Sequence, residues 1–251
     1  MKSLLSVLVA VIITGCDGAT APRSVRSTVD DSRVPAELRA AYFEDASRLA
    51  LRDLLANGFT EISIPGEVVR PYYDALVLVY NANAIPARDT VVDIYRMHTI
   101  GPTTRSLMLQ LVGTETWVQH LARREIPTGD PTVDTLLARY ALSVGSVYTL
   151  HDGDVLITLA PPEPLNIKAL ARLFNGITGV RFAEPNGVVG DGNDIAGSVG
   201  DSRVLLDYSV GYGDCPAGCI ARRFYHFAIH DDGTVDYLGA TGSPPPKPGQ
   251  P

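Results

Sequence analysis

The chain has 251 residues, of which 45% are hydrophobic, and a formal net charge of −7 at pH 7. An excess of negative charge repels nucleic-acid phosphates and anionic lipid headgroups, so the composition argues against nucleic acid as a partner and against electrostatic adhesion to a membrane. The apolar content is sufficient for one large folded domain or two small ones. No motif in the chain calls for a cofactor, and none is predicted.

The first element is an apolar leader, MKSLLSVLVAVIITGC. Lys2 precedes a run of about ten apolar residues, which is too short to span a bilayer and is typical of a secretory signal. The run ends in ITGC at residues 13–16, which resembles the lipobox of bacterial lipoproteins. The resemblance implies that residues 1–15 are a cleaved signal peptide, that Cys16 is lipidated, and that this lipid anchors the protein to a membrane of the bacterial cell envelope. It leaves the inner and outer membranes as open alternatives.

Residues 16–34 follow as lipid anchor and flexible tether, because the segment is polar and lacks hydrophobic periodicity. Helices are predicted over residues 35–57 and from about Glu67 to Tyr80, where Pro71 is tolerable only near the first turn. TVVDIYRM and LMLQLV predict strands, and PTVDTLLARYAL predicts a short helix.

The second half of the chain predicts strands around one helix. SVYTLHDGDVLITL is a hairpin about the dipeptide Asp152-Gly153, and NIKALARLFNGI is a helix with Asn166 as its N-cap. GVRFAEPN, SRVLLDYSV, RRFYHFAIH and TVDYLG are the remaining strands, the last two joined at Asp232-Gly233.

This order predicts an α+β fold, with N-terminal helices packed with a mostly antiparallel sheet and C-terminal β-hairpins around one helix. Residues 35–241 form the globular region, either as one domain or as two subdomains, 35–145 and 146–241. Residues 242–251 are proline-rich and predict a disordered tail.

The segment GDCPAGC places Cys215 and Cys219 just before the strand that carries His226 and His230. Strand residues four positions apart have α-carbons about 13 Å apart, so the two histidines would hardly bind one zinc ion together. Three residues separate the cysteines, whereas thioredoxin-type motifs have two. We therefore predict a local disulfide between Cys215 and Cys219 and no metal site. A nucleophilic cysteine with His226 as its base stays open as an alternative.

Asp207, Ser209 and His226 are expected on one face of the C-terminal sheet, which is a composition suited to a hydrolytic triad. Two of the three lie on one strand, and no nucleophile elbow surrounds them. No catalytic site is therefore predicted, and His226 and Asp207 are kept as the candidates should one exist.

Two further resemblances concern the C-terminal half. YSVGYGDCPAGCIARRFYHFAIHDDGTVDYLGATG is similar to a block in bacterial envelope proteins that have no assigned chemistry. The run DVLITLAPPEPLNIKALARLFNGITGVRFAEPN resembles propeptide-like protease inhibitors in its β-α-β order.

The sequence thus predicts a membrane-anchored envelope lipoprotein whose folded region is a non-catalytic binding or structural module for an envelope protein or polymer. A membrane-tethered hydrolase or thiol enzyme is the alternative, and a propeptide-like protease inhibitor is a minor one. A deep pocket containing His226 would favour the enzyme, whereas a flat sheet face at His226 would favour binding or structure.

Overall fold

The computed structural model describes residues 29–187 and 190–244. Its α-helices are α1 (Ala36–Ala56), α2 (Gly66–Asn81), α3 (Pro86–Asp89), α4 (Thr116–Ala122), α5 (Pro131–Arg139) and α6 (Ile167–Phe174). Its strands are β1 (Leu107–Leu111), β2 (Ser143–Thr149), β3 (Val155–Ala160), β4 (Val180–Pro185), β5 (Asp194–Val199), β6 (Arg203–Tyr212), β7 (Ala221–His230) and β8 (Val235–Gly242). The strands form two antiparallel sheets, and the predicted α+β class is confirmed.

The first sheet belongs to a unit with its own hydrophobic core. Its strand order is β2-β3-β1-β4, with every neighbouring pair antiparallel. Helices α4 and α5 connect β1 to β2, and α6 connects β3 to β4, so the unit has the βαββαβ order called ferredoxin-like. Leu107, Leu109 and Leu111 alternate inward along β1 and are fully buried in the core on which α6 packs.

The second sheet, β5-β6-β7-β8, packs against α1 and α2. Tyr72 and Leu76 of α2 meet Leu206 of β6 and Phe227 of β7 in this core, and all four are buried.

The two cores are not consecutive in the chain. Helices α1 and α2 pack on the second sheet, and the ferredoxin-like unit lies between these helices and that sheet in the sequence. The boundary between the two predicted subdomains, at residues 145 and 146, falls inside β2 and does not separate these two cores. Helices α1 and α2 bury their apolar faces on strands that are distant in sequence, and a local sequence pattern does not predict which sheet a helix packs on.

The strand predicted for TVVDIYRM is wrong. Pro86 occupies the first turn of α3, where its fixed φ favours a helix, and α3 continues into a π-helical turn, Thr90–Ile94. Val91 is fully buried in the core with the helices. Burial of Val91 therefore favours helical packing here, which overrides the strand preference of the β-branched residues.

Helix α2, Gly66–Asn81, matches the predicted bounds to within one residue at each end, and Pro71 is its sixth residue, just past the first turn. Other elements differ from prediction. The β2–β3 hairpin has a longer loop than the predicted Asp-Gly pair, because Leu150 N–H donates to the Asp154 carbonyl and the turn is completed by Gly153 at φ 84°. Helix α4 and strand β5 were not predicted. No helix of the described residues is long and apolar enough to cross a membrane.

The predicted tether extends too far toward the globular region. Val34 is only 1% exposed and belongs to the core with α1 and α2. The hydroxyl of Tyr73 donates to Asp31 at 2.6 Å, which fixes the same segment to α2. Asp31 and Val34 are therefore part of the folded region. Cys16, the leader and the last seven residues lie outside the described residues.

Candidate functional site

A large groove lies between the helical layer and the ferredoxin-like unit. Its volume is about 1830 Å³. One wall comes from residues 60–71, which connect α1 to α2 and begin α2, and the other comes from residues 139–141 and 161–173. We call this feature the inter-core groove. Its volume exceeds the range of about 300–1,000 Å³ that is usual for small-molecule pockets, so its dimensions suit a segment of a polymer.

The base of the groove is held by backbone pairing between its two walls. Ser63 and Leu165 form an isolated antiparallel bridge. Asn166 donates its backbone N–H to the Ile62 carbonyl at 2.9 Å and its side-chain amide to the Glu61 carbonyl at 3.0 Å. The same Asn166 side chain caps α6 by accepting from Ala169, as predicted for an N-cap. These bonds fix the separation of the walls, so the groove is formed before any ligand arrives.

The lining of the groove is apolar and contains prolines and unpaired charges. Its prolines and larger apolar side chains are Phe43, Ile62, Ile64, Val69, Pro71, Pro161, Pro162, Pro164, Leu165 and Leu173. Its charged side chains are Glu61, Glu67, Arg70, Arg139, Glu163 and Arg172. None of these six makes an ion pair with a described residue. Charges of both signs therefore stay available at the edges of an apolar surface.

The two cysteines predicted to pair are joined by a disulfide in the turn between β6 and β7. Asp191 fastens this turn to the segment before β5, since its carboxylate accepts from the Cys219 N–H and pairs with Arg222. The Arg222 guanidinium is the main cause of the lowered pKa of Asp191, with bonds from two backbone N–H groups adding to it. Arg222 also donates to Ser209 at 2.8 Å. The disulfide thus belongs to a bonded structural corner, and its sulfur atoms are not paired with a histidine.

For the disulfide we expect both cysteines to react with an alkylating reagent only after reduction of the unfolded protein. Replacing Cys215 and Cys219 together with alanine should lower the free energy of unfolding by about 2 kcal/mol, because the bond closes a short loop in the unfolded chain. Mass spectrometry after alkylation and urea denaturation of both proteins provide the two measurements. Alkylation of either cysteine without reductant would contradict the assignment.

The sequence candidates His226 and Asp207 do meet on the outer face of the second sheet. His226 Nδ1 lies 2.6 Å from Asp207 Oδ1, and Nε2 lies 2.8 Å from the hydroxyl oxygen of Thr241 on β8. The predicted third member, Ser209, lies two residues along β6 from Asp207, but its hydroxyl donates to the Asp194 carbonyl and makes no hydrogen bond with His226. Thr241 takes the place of Ser209. In the β7–β8 pairing His226 lies opposite Gly239 and Phe224 lies opposite Thr241, so Thr241 is a diagonal neighbour of His226. No sequence motif points to Thr241.

This Asp207–His226–Thr241 group has the connectivity of a nucleophile, a base and an orienting carboxylate. A carboxylate on Nδ1 holds Nε2 as an acceptor, so His226 is placed to take a proton from the Thr241 hydroxyl. Phe224 stacks beside the imidazole ring at a centroid distance of 6.2 Å. The group lies on a sheet face, outside the inter-core groove and outside the smaller cavity described below.

His230, the other histidine of β7, lies 3.0 Å from Asp236 and has no contact with the thiols. Within residues 29–187 and 190–244, no cluster of three or more histidine, cysteine or acidic side chains is arranged to hold a metal ion.

Comparison with known proteins adds no family to these observations. No family model matches the chain, and neither a curated protein nor a solved structure matches it at a significant level.

Proposed function

We propose that this protein is a membrane-anchored binding module of the bacterial cell envelope, and that the inter-core groove receives an extended segment of a partner protein. The groove is the observation that carries the proposal. It is preformed, larger than a small-molecule pocket, and lined by apolar side chains with unpaired charges at its edges. The lipobox-like leader supports the anchor, which would hold the groove close to a membrane surface.

A polypeptide is the ligand that this lining fits. Its apolar side chains would cover the prolines and Leu173, which is 43% exposed, while its charges would pair with the arginines and glutamates at the edges. Proline walls are rigid, so little conformational entropy is lost when the groove is filled.

The experiment is a selection of random dodecapeptides displayed on phage, using the full-length chain in detergent as target. Leu173→Glu places a charge on the apolar wall, and Leu238→Glu is the matched control, because Leu238 is 57% exposed on β8 outside the groove. We expect the wild type and Leu238→Glu to enrich the same apolar, charge-bearing peptides. A selected peptide should bind Leu173→Glu at least about tenfold more weakly by fluorescence anisotropy, which corresponds to about 1.4 kcal/mol. Equal binding to all three proteins, or no enriched peptide, would defeat the proposal.

A hydrolase is the second candidate, and the Asp207–His226–Thr241 hydrogen bonds are the observation that favours it. Under the binding proposal we expect no adduct on Thr241 after incubation with a fluorophosphonate, because Thr241 lies on a sheet face and lines neither the inter-core groove nor the smaller cavity. Peptide mass mapping gives the result. An adduct on Thr241 that disappears in His226→Gln and persists in His230→Gln would establish the hydrolase instead.

A further inference from the structure

A second cavity lies at the other side of the helical layer, with a volume of about 350 Å³. It is lined by residues of α1, the end of α2, the π-helical turn with the residues that follow it, and β6. The lining residues are Pro35, Leu38, Tyr42, Tyr80, Val92, Asp93, Arg96, Met97, His98 and Tyr208. This volume lies within the range of pockets that bind small organic molecules. It shares no lining residue with the inter-core groove.

Tyr208 provides a buried hydroxyl without a partner. The residue is only 2% exposed, and its hydroxyl oxygen makes no hydrogen bond with the described residues. Among the described side chains, Arg48 Nε is the other buried polar atom without a hydrogen bond, but it lies 3.3 Å from the Glu44 carboxylate. Burial raises the pKa of Tyr208 well above its usual value, so the phenol stays protonated and is available as a donor. Because a buried polar group is normally satisfied, a missing acceptor at this position points to a ligand.

Two basic side chains, Arg96 and His98, line the same cavity. Arg96 is exposed, makes no ion pair with a described residue, and has a backbone φ of 45°, a left-handed conformation that is uncommon for a side-chain-bearing residue. His98 Nδ1 lies 2.6 Å from Asp45, which leaves Nε2 as the second donor of a protonated ring.

The two acidic groups near the cavity already have protein partners. Asp45 is buried and accepts from Thr99 as well as from His98. Asp93 pairs with Arg88, a guanidinium that it shares with Asp89. The unsatisfied groups that face the cavity are therefore donors and cations, whereas Leu38, Val92 and Met97, with the rings of Tyr42 and Tyr80, provide apolar walls.

From this arrangement we infer that the cavity binds a small organic carboxylate with an apolar body. The carboxylate accepts from the Tyr208 hydroxyl and pairs with Arg96 and His98, and the apolar body packs against Leu38, Val92 and Met97. The inference is independent of the inter-core groove, since a peptide bound there would leave this cavity open.

Isothermal titration calorimetry of the full-length chain in detergent tests the inference, with 3-phenylpropionate as the probe and its neutral amide as the ligand control. We expect the acid to bind at least about tenfold more tightly than the amide, because only the acid pairs with both basic groups. Binding of the acid should also raise the melting temperature of the protein. Equal affinity for acid and amide, or no binding of the acid, would overturn the inference.

Variants then locate the site. Tyr208→Phe removes one oxygen atom and should weaken binding of the acid by about tenfold. Tyr225→Phe is the matched control, since Tyr225 lies opposite Tyr208 in the β6–β7 register and does not line the cavity, and it should bind like the wild type. Arg96→Gln changes an exposed side chain and should weaken binding and reduce its dependence on salt. Unchanged binding by both Tyr208→Phe and Arg96→Gln would place the ligand elsewhere and reject the site.

Discussion

Replacing Cys16 with serine is expected to abolish incorporation of an alkyne-tagged fatty acid into the protein. The change should also shift the protein from the detergent phase to the aqueous phase in Triton X-114 partitioning. The proposed anchor requires the Cys16 thiol, which forms the link to the diacylglycerol group. Each methylene buried in a bilayer contributes about 0.8 kcal/mol, and two or more acyl chains are needed for durable attachment. Loss of the thiol therefore removes the whole of this membrane affinity rather than part of it.

The matched control replaces Cys215 and Cys219 with serine, which leaves Cys16 as the sole cysteine of the chain. This control should incorporate the fatty acid like the wild type, because its leader is unchanged. Fluorescence of the tagged band, normalised to protein, gives the comparison. A wild type without label, or a Cys16→Ser protein with full label, would reject the anchor while leaving both cavity proposals intact.

The second large effect is expected at Asp45, where Asp45→Ala should lower the free energy of unfolding by about 3 kcal/mol. Asp45 is 1% exposed, and its carboxylate accepts from the Thr99 N–H at 2.9 Å and from the Thr99 hydroxyl at 2.7 Å. Its second oxygen accepts from His98 at 2.6 Å. Removing the carboxylate leaves these donors without their acceptor, two of them in a buried position. Urea denaturation should show a lower midpoint with an unchanged slope.

Asp45→Asn is the control for this prediction. The asparagine oxygen retains an acceptor for Thr99, while the charge that holds His98 is lost. We expect an intermediate loss of stability, about 1–2 kcal/mol. If Asp45→Ala were as stable as the wild type, the hydrogen bonds around Asp45 would not be structural in solution.

The same pair predicts a dependence on pH. The hydrogen bond to Asp45 is the main cause that raises the pKa of His98 above its ordinary value of 6.5, against the opposing effect of burial and the nearby Arg48 charge. The protonated ring is therefore favoured in the folded protein. This contribution to stability is fully present below pH 6.5 and is lost as the pH rises through the raised pKa. Unfolding free energies measured across this range should show the loss in the wild type but not in Asp45→Ala.

Much of the local structure was predictable because its determinants are adjacent in sequence. Asn166 caps α6 through its own side chain, and the Asp232-Gly233 pair lies in the β7–β8 turn, where Gly233 has a φ of 84°. The disulfide between Cys215 and Cys219 follows from their short separation. The misassigned segment 90–97 shows the limit of such reasoning, since tertiary packing of Val91 decides between helix and strand there.

The sequence by itself determined the α+β class, most helices and hairpins, and the pairing of the two cysteines, because each depends on a few neighbouring residues. Only the tertiary structure decided that the helices cover the last sheet, that Thr241 meets His226, and that Tyr208 faces a cavity with Arg96. These contacts join segments that are distant along the chain, and closing such loops costs similar entropy for many alternative pairings. Which pairing forms depends on how whole faces pack together, which no single stretch of residues encodes.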